Sequence, residues 1–134
     1  MKTVRIVSCV IRKDGKILIT KRGMGVATFS GYWHGISGSL ETGETPIKRA
    51  YREIREETGI KKASLSLAKN GKPVKVKSVD LKKQFLIHPF LFVCNTNKIR
   101  LNWENTAYRW IFPSRLGNYR TVPKFDRVLK ALLG

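Results

Sequence analysis

Acidic residues are scarce in this chain. Asp and Glu together number 9 among 134 residues, against 27 Lys and Arg, so the formal net charge is +18. A surface of this kind attracts polyanions and steers phosphate groups inward. A lysine-rich surface shaped by growth temperature or solubility would carry the same charge. Charge alone therefore predicts affinity for phosphate without specifying a nucleic acid.

Long apolar runs are absent too. No run approaches the roughly 18 residues that a membrane span needs, and the opening segment, broken by Arg5, is typical of a first strand and not of a signal peptide. The length fits a single domain over residues 1–134, and 42% hydrophobic content fits a folded globular chain. We expect a cytoplasmic protein with no membrane association. Oligomeric state is not predicted.

Cysteine and histidine are equally rare, with two of each. Cys9 and Cys94 lie in apolar, strand-like runs, which favours buried free thiols over a disulfide or a metal site. His34 and His88 do not fall at zinc-site spacing with them.

Hydrophobic patterning predicts a mixed α/β domain with a mostly non-alternating order of elements. A helix over 46–58 is indicated by Thr45 as N-cap, Pro46 at the first helical position and Gly59 as the stop. A C-terminal amphipathic helix is predicted over 123–133. The predicted strands are 3–12 and 16–21 around an Asp14-Gly15 turn, a glycine-broken strand at 33–40, and strands at 63–69, 73–79, 84–94 and 107–112.

Three of these strands carry further expectations. The alternating segments 63–69 and 73–79 flank Asn70-Gly71, which predicts a hairpin. Pro89 lies inside the strand at 84–94. Because proline cannot donate a ladder hydrogen bond, it predicts an edge or a bulge there.

The few acids are clustered, since five of the nine lie between positions 41 and 57. On the predicted helix, Glu53, Glu56 and Glu57 are i,i+3 and i,i+4 neighbours on one flank, where like charges repel and oppose the helix dipole. A divalent cation would offset both costs, and clustered carboxylates suit Mg²⁺, with Mn²⁺ as an alternative. From the helix alone, a solvated acidic face screened by basic neighbours explains the cluster equally well.

The segment before the helix favours the metal. Gly38 is followed at fixed spacing by Glu44, Arg52-Glu53-Ile54, Glu56-Glu57 and Gly59-Ile60. This pattern resembles the complete Nudix box, with every defining position filled. Residues 32–38 are similar to the strand that precedes the box in many members. The resemblance implies an α/β/α sandwich around a mixed β-sheet and a metal-dependent hydrolase.

The resemblance also implies roles for single residues. Glu53, Glu56 and Glu57 correspond to metal ligands, and Ser37 to the residue whose backbone carbonyl joins them. Arg52 resembles the arginine that orients a glutamate by a salt bridge. Structural positions of the box are Glu44, which is more often structural than catalytic, and the two backbone glycines Gly38 and Gly59.

The catalytic base is left open. Glu104 resembles an acidic position that precedes a Tyr-x-Trp strand in several nucleotide-hydrolysing branches, although Asn105 stands where those branches often have histidine. Glu104 is therefore either a base or extra ligand, or a loop carboxylate with no role.

The implied reaction is attack of water on a phosphorus atom within a diphosphate linked to a nucleoside. No motif for ADP-ribose, coenzyme A or NADH classes is present, which leaves nucleoside triphosphates and dinucleoside polyphosphates. Arg22 could reach a phosphate or be a surface arginine. Phe29, Trp33 and Tyr108 could stack on a base, whereas core packing is the better assignment for Trp110.

Two other functions stay open. Lys75 and Lys77 share one face of a predicted strand and could contact an RNA backbone, which would suit an enzyme that processes RNA 5′ ends; a solvated strand face is the plainer explanation. A non-catalytic module that binds nucleotides or RNA typically lacks box carboxylates, and here all are retained.

Overall fold

The computed structural model describes residues 1–134 and contains one mixed eight-stranded sheet with a helix on each face. This confirms the predicted α/β/α sandwich. The strands are β1 (Lys2–Lys13), β2 (Lys16–Arg22), β3 (Trp33–His34), β4 (Ile36–Ser39), β5 (Leu65–Asn70), β6 (Val74–Ser78), β7 (Lys83–Cys94) and β8 (Asn105–Ile111), and the helices are α1 (Pro46–Thr58) and α2 (Phe125–Leu133). Neither helix is long and apolar enough to cross a membrane.

The centre of the sheet is a parallel pair. β1 and β7 run side by side from Lys2 opposite Lys83 to Arg12 opposite Val93, and the other strand pairs are antiparallel. β4 pairs with the middle of β1, from Ile6 to Cys9, β3 pairs with β2, and β8 adds to the other side of β2. Residues 33–39 thus connect β2 to β1.

Side-chain alternation along these strands divides the interior into two cores. Val7 and Cys9 of β1 belong to a cluster of eleven buried residues beneath α1, whereas Val10 belongs to a second cluster of eleven beneath α2. The strands are therefore apolar on both faces, as expected for a sheet covered on both sides.

The bounds of α1 follow from its caps. The Thr45 side chain accepts a hydrogen bond from the Lys48 N–H at 3.4 Å, and Pro46 begins the helix. Gly59 ends it with φ of 77°, a left-handed conformation that glycine adopts without strain, and its N–H donates to the Arg55 carbonyl. The helix predicted over 46–58 is confirmed.

The predicted hairpin around Asn70-Gly71 is wrong. β5 and β6 do not pair with each other; both pair with β7, end to end along one edge of it. The Gly71 N–H donates to the Pro89 carbonyl at 2.9 Å, at the junction between them. The alternating pattern of both strands is compatible with a hairpin and with this arrangement alike. β7 is the longer and more buried partner for each strand.

Of the two alternatives predicted at Pro89, the edge is wrong, since β7 is an interior strand between β1 and the β5–β6 line. The irregularity lies in the partner strand, where the register of β5 against β7 shifts between Leu67 and Lys69. The N–H and C=O of one strand residue point to the same side. Because the Pro89 carbonyl faces the junction at Gly71, the missing N–H also faces that junction, where no strand residue requires it as a donor.

Candidate active site

The first carboxylate of the site lies directly on the sheet. Glu53 of α1 is 7% exposed, and a Cβ added to Gly38 of β4 would overlap its Cδ and Oε1. Only glycine leaves room for the carboxylate at this point of close approach. The side chain of the preceding Ser37 therefore points to the opposite face of β4, so that only its backbone could act beside Glu53.

Arg49 holds the Glu53 carboxylate in place. The sequence patterns did not identify Arg49 as a site residue. Its Nη1 donates to Glu53 Oε1 at 2.9 Å and its Nε to Glu44 Oε1 at 2.6 Å. Nη2 lies 3.1 Å from Glu41 Oε1, as an ion pair without hydrogen-bond geometry. The hydrogen bond from the Arg49 guanidinium lowers the pKa of Glu44. Arg49 thus joins the loop before α1 to Glu53. Glu44 anchors Arg49 from that loop, which fits the structural role predicted for Glu44.

Arg52 has a different partner. It is half exposed, and its Nε donates to Glu56 Oε1 at 3.2 Å. Its Nη1 lies 3.6 Å from both Glu41 and Glu44. Arg52 therefore orients the solvent-facing glutamate of the box, while Arg49 orients the buried one.

The second buried carboxylate is Glu57, which is 1% exposed. Its Oε1 accepts a hydrogen bond from Asn105 Nδ2 at 3.1 Å, and its Oε2 has no partner. Burial, followed by the negative charges of Glu104 and Glu53, raises the pKa of Glu57 to about 9. Burial also raises the pKa of Glu53. An isolated buried carboxylate oxygen is costly unless something pairs with it.

Asn105 extends the site to a buried histidine. His34 Nε2 lies 3.1 Å from Asn105 Oδ1. The amide nitrogen of Asn105 donates to Glu57, so Oδ1 is the acceptor and the His34 Nε2 carries the proton. Burial lowers the pKa of His34 to about 4, which keeps the ring neutral. Sequence reasoning missed this connection, since nothing local joins the three residues.

These groups fit a divalent cation. Carboxylate oxygens of Glu53 and Glu57 are hard donors of the kind that Mg²⁺ prefers, and the unpaired Glu57 Oε2 would gain a partner. Glu56 is a third donor on the same flank, 48% exposed and turned towards Arg52. In the rotamers present, no three Asp, Glu, His or Cys side chains converge as a metal cluster.

Three further predicted site residues, Glu104, Arg22 and Phe29, have different surroundings. Glu104 is half-buried, its carboxylate accepts from Asn102 Nδ2 at 3.4 Å, and its charge raises the pKa of Glu57. Arg22 is turned away, because its Nε donates to the Thr28 carbonyl at 2.8 Å and so braces the loop at 23–31. Phe29, in that loop, is 46% exposed and packs edge-on against Tyr32.

The two other aromatic candidates lie on opposite faces. Trp33 packs against Tyr119 on the α2 side, with the Arg109 guanidinium over its ring. Tyr108 is 37% exposed and lies on the α1 side, two residues before Trp110, which packs against the core beneath α1. The core assignment for Trp110 is confirmed. Tyr108 thus lies on the same side of the sheet as the carboxylates, whereas Trp33 does not.

A carboxylate-bearing helix that follows a glycine-rich strand, packed on a mixed sheet inside an α/β/α sandwich, defines a hydrolase domain of the Nudix type. The NUDIX domain model matches residues 1–133, and the chain therefore belongs to the Nudix hydrolase family. The predicted family and enzyme class are confirmed.

Two relatives within the family carry names that state an activity. It is 37% identical over 60 residues to the CTP pyrophosphohydrolase of Escherichia coli strain K12, covering 45% of this chain and 44% of that protein. It is 27% identical over 125 residues to the nucleoside triphosphatase NudI of Escherichia fergusonii, covering 89% of each. The first match spans less than half of its relative.

A solved structure shows the shared fold. The solution structure of the E. coli ORF135 protein superposes with a TM-score of 0.77 at 23% identity, covering 99% of this chain and 90% of that chain.

Proposed function

We propose that this Nudix domain hydrolyses a phosphoanhydride bond in a nucleoside triphosphate or a dinucleoside polyphosphate, with Mg²⁺ (or Mn²⁺) held by Glu53, Glu56 and Glu57. The observation that carries the proposal is the buried, unpartnered Oε2 of Glu57 beside Glu53. The backbone carbonyl of Ser37, next to Gly38, is proposed as a further ligand.

The residues divide the chemistry between them. The bound cation would polarise the diphosphate oxygens and lower the pKa of the attacking water. Arg49 holds Glu53 against Gly38, and Asn105 holds one oxygen of Glu57 and leaves the other without a partner. Glu104 is the proposed general base, because no cation pairs with it and it is close enough to Glu57 to raise that group's pKa.

The names of the relatives support nucleotide substrates, since one acts on CTP and another on nucleoside triphosphates. The charge of +18 supports an anionic substrate of any length. Among the aromatic candidates, Tyr108 is the proposed stacking platform for a base, since it is exposed on the side of the carboxylates.

The 5′ end of RNA is the second candidate substrate. It contains the same polyphosphate unit. Lys75 and Lys77 of β6 are exposed, whereas Val74 of the same strand is buried in the core beneath α2. Because both lysines are free of ion pairs, they are available to contact phosphates.

The test is a substrate panel of nucleoside triphosphates, diadenosine polyphosphates, ADP-ribose, NAD and a 5′-triphosphorylated RNA, each incubated with Mg²⁺. Glu57→Gln removes a proposed metal ligand and should lower turnover by at least about 10²-fold, whereas Asp126→Asn, at an exposed acid on α2, should leave it unchanged. Absence of turnover with every substrate, together with salt-sensitive RNA binding that needs no metal, would instead identify a binding module.

A further inference from the structure

A cavity of about 500 Å³ lies at the C-terminal end of α1 and has no apolar lining. Of its lining residues, only Arg52 makes ion pairs with acids; Arg55, Lys61 and Arg100 make none. The single carboxylate in its wall is Glu56. Three unpaired cations therefore converge on open space beside a proposed metal ligand, which is a site for an anion.

The cavity's charge comes from side chains and not from the helix end. A helix C-terminus repels anions through its free carbonyls, but here the Arg55 carbonyl accepts from the Gly59 N–H and the Thr58 carbonyl accepts from the Arg100 N–H at 2.9 Å. The second bond also holds Arg100 against the turn at Gly59. Backbone hydrogen bonds thus fix the main chain that carries Arg55 on one side of the cavity and Arg100 on the other.

An adjoining cavity of about 470 Å³ shares Gly59 and Arg100 with the first and continues to Lys98 and Tyr108. We call the two together the basic groove. It begins at Glu56 and ends at β8, where a register shift opposite Lys21 and Arg22 leaves Thr106 outside the ladder. That bulge brings Tyr108 to the same face as Asn105, on the α1 side of the sheet, and Glu56 is the one of the three proposed metal ligands that lines the groove.

A row of cations that ends at an exposed aromatic ring suits single-stranded nucleic acid, whose backbone follows the cations and whose bases stack. A mononucleotide places its phosphates at the carboxylates and its base against Tyr108, and has no further phosphate to contact the cations of the groove. Resting on the proposed hydrolytic function, we propose that the basic groove binds the sugar-phosphate chain of a single-stranded RNA whose 5′ polyphosphate lies at Glu53 and Glu57.

The proposal predicts different effects on long and short substrates. The double variant Lys61→Gln/Arg100→Gln should lower kcat/KM at least tenfold for a 5′-triphosphorylated RNA of about eight nucleotides and change it less than about twofold for ATP. Its log–log salt dependence with the RNA should weaken by about 1.4, or 0.7 for each lost phosphate contact. The matched variant Arg127→Gln/Lys130→Gln removes equal charge from α2 on the opposite face and should match wild type.

Equal losses for RNA and ATP, or no loss for RNA, would overturn the proposal. So would an RNA defect confined to Lys75→Gln/Lys77→Gln, which would place the chain along β6. If the wild type hydrolyses nothing, the enzymatic proposal fails separately. Fluorescence anisotropy with a 5′-hydroxyl RNA then tests the groove alone: tenfold weaker binding by Lys61→Gln/Arg100→Gln supports it, and unchanged binding refutes it.

Discussion

The two faces of the sheet bury cores of equal size but of different chemistry. Beneath α1, eleven buried apolar residues adjoin the three buried charged side chains, Arg49, Glu53 and Glu57. Beneath α2, the eleven are accompanied only by Ser8 among buried polar residues. Burying charge weakens a fold unless each group is paired. The α2 face therefore supplies stability that the α1 face gives up for chemistry.

The largest expected effect is on the α2 face. Leu132→Ala removes a side chain that is 3% exposed, and should lower the free energy of unfolding by about 2–5 kcal/mol. Urea unfolding measures this, with exposed Lys130→Ala as the control. Turnover per folded molecule should stay at the wild-type value. A disproportionate loss of turnover would contradict the division between the faces.

The α1 face should respond to acid through His34. Its folded pKa of about 4 lies below the ordinary value near 6.5, because burial opposes protonation and the Arg22 charge adds to this. Between these values the unfolded chain binds a proton at His34 that the folded chain does not, so the contribution of His34 to stability falls by about 3 kcal/mol as pH drops from 6.5 to 4. The raised pKa of Glu57 acts in the opposite direction over this window, and it does so equally with or without His34. His34→Gln, which cannot titrate, should lose about 3 kcal/mol less over that window in urea unfolding. Parallel pH profiles for the two proteins would show that His34 does not carry the effect.

The contact between Gly38 and Glu53 can be broken with one methyl group. Gly38→Ala should displace the Glu53 carboxylate, lower stability by about 1–3 kcal/mol and reduce turnover about 10²-fold. Gly117→Ala is the matched control, since a Cβ there meets nothing within 4 Å. Thermal melts and initial rates measure both properties. Turnover near wild type for Gly38→Ala would show that Glu53 need not lie on β4.

The smallest effect is expected at Asn105. Asn105→Ala leaves His34 and Glu57 Oε1 without their shared partner and should reduce activity about 10- to 100-fold, mainly as a higher Mg²⁺ requirement. The neighbouring exposed Thr106→Ala serves as the control. Titration of initial rate against Mg²⁺ separates the two. An unchanged Mg²⁺ requirement would remove Asn105 from the site.

Features with a local cause were predictable from the sequence. The bounds of α1 follow from Thr45, Pro46 and Gly59, and the shared flank of Glu53, Glu56 and Glu57 follows from helical spacing. The amphipathic α2 follows from the spacing of its buried residues. Each of these depends on residues within a few positions of one another.

Features that depend on distant residues were not predictable. Glu57 and Asn105 are joined across 48 positions, and His34 and Asn105 across 71. Arg49 was missed because its role arises only when the loop carrying Glu44 folds back on α1; its i,i+4 spacing to Glu53 was the available signal. β5 and β6 were mispaired because period-two alternation specifies a face and not a partner.

The parallel pairing of β1 with β7 also sets the order in which the chain can fold. Its partners are about 80 positions apart, so the central pair of the sheet cannot form early in synthesis. At typical rates of elongation, β1 would wait roughly 5–15 seconds for β7 to be made. During that interval the apolar faces of β1 stay uncovered, and slow translation of residues before β7 should increase aggregation of the nascent chain.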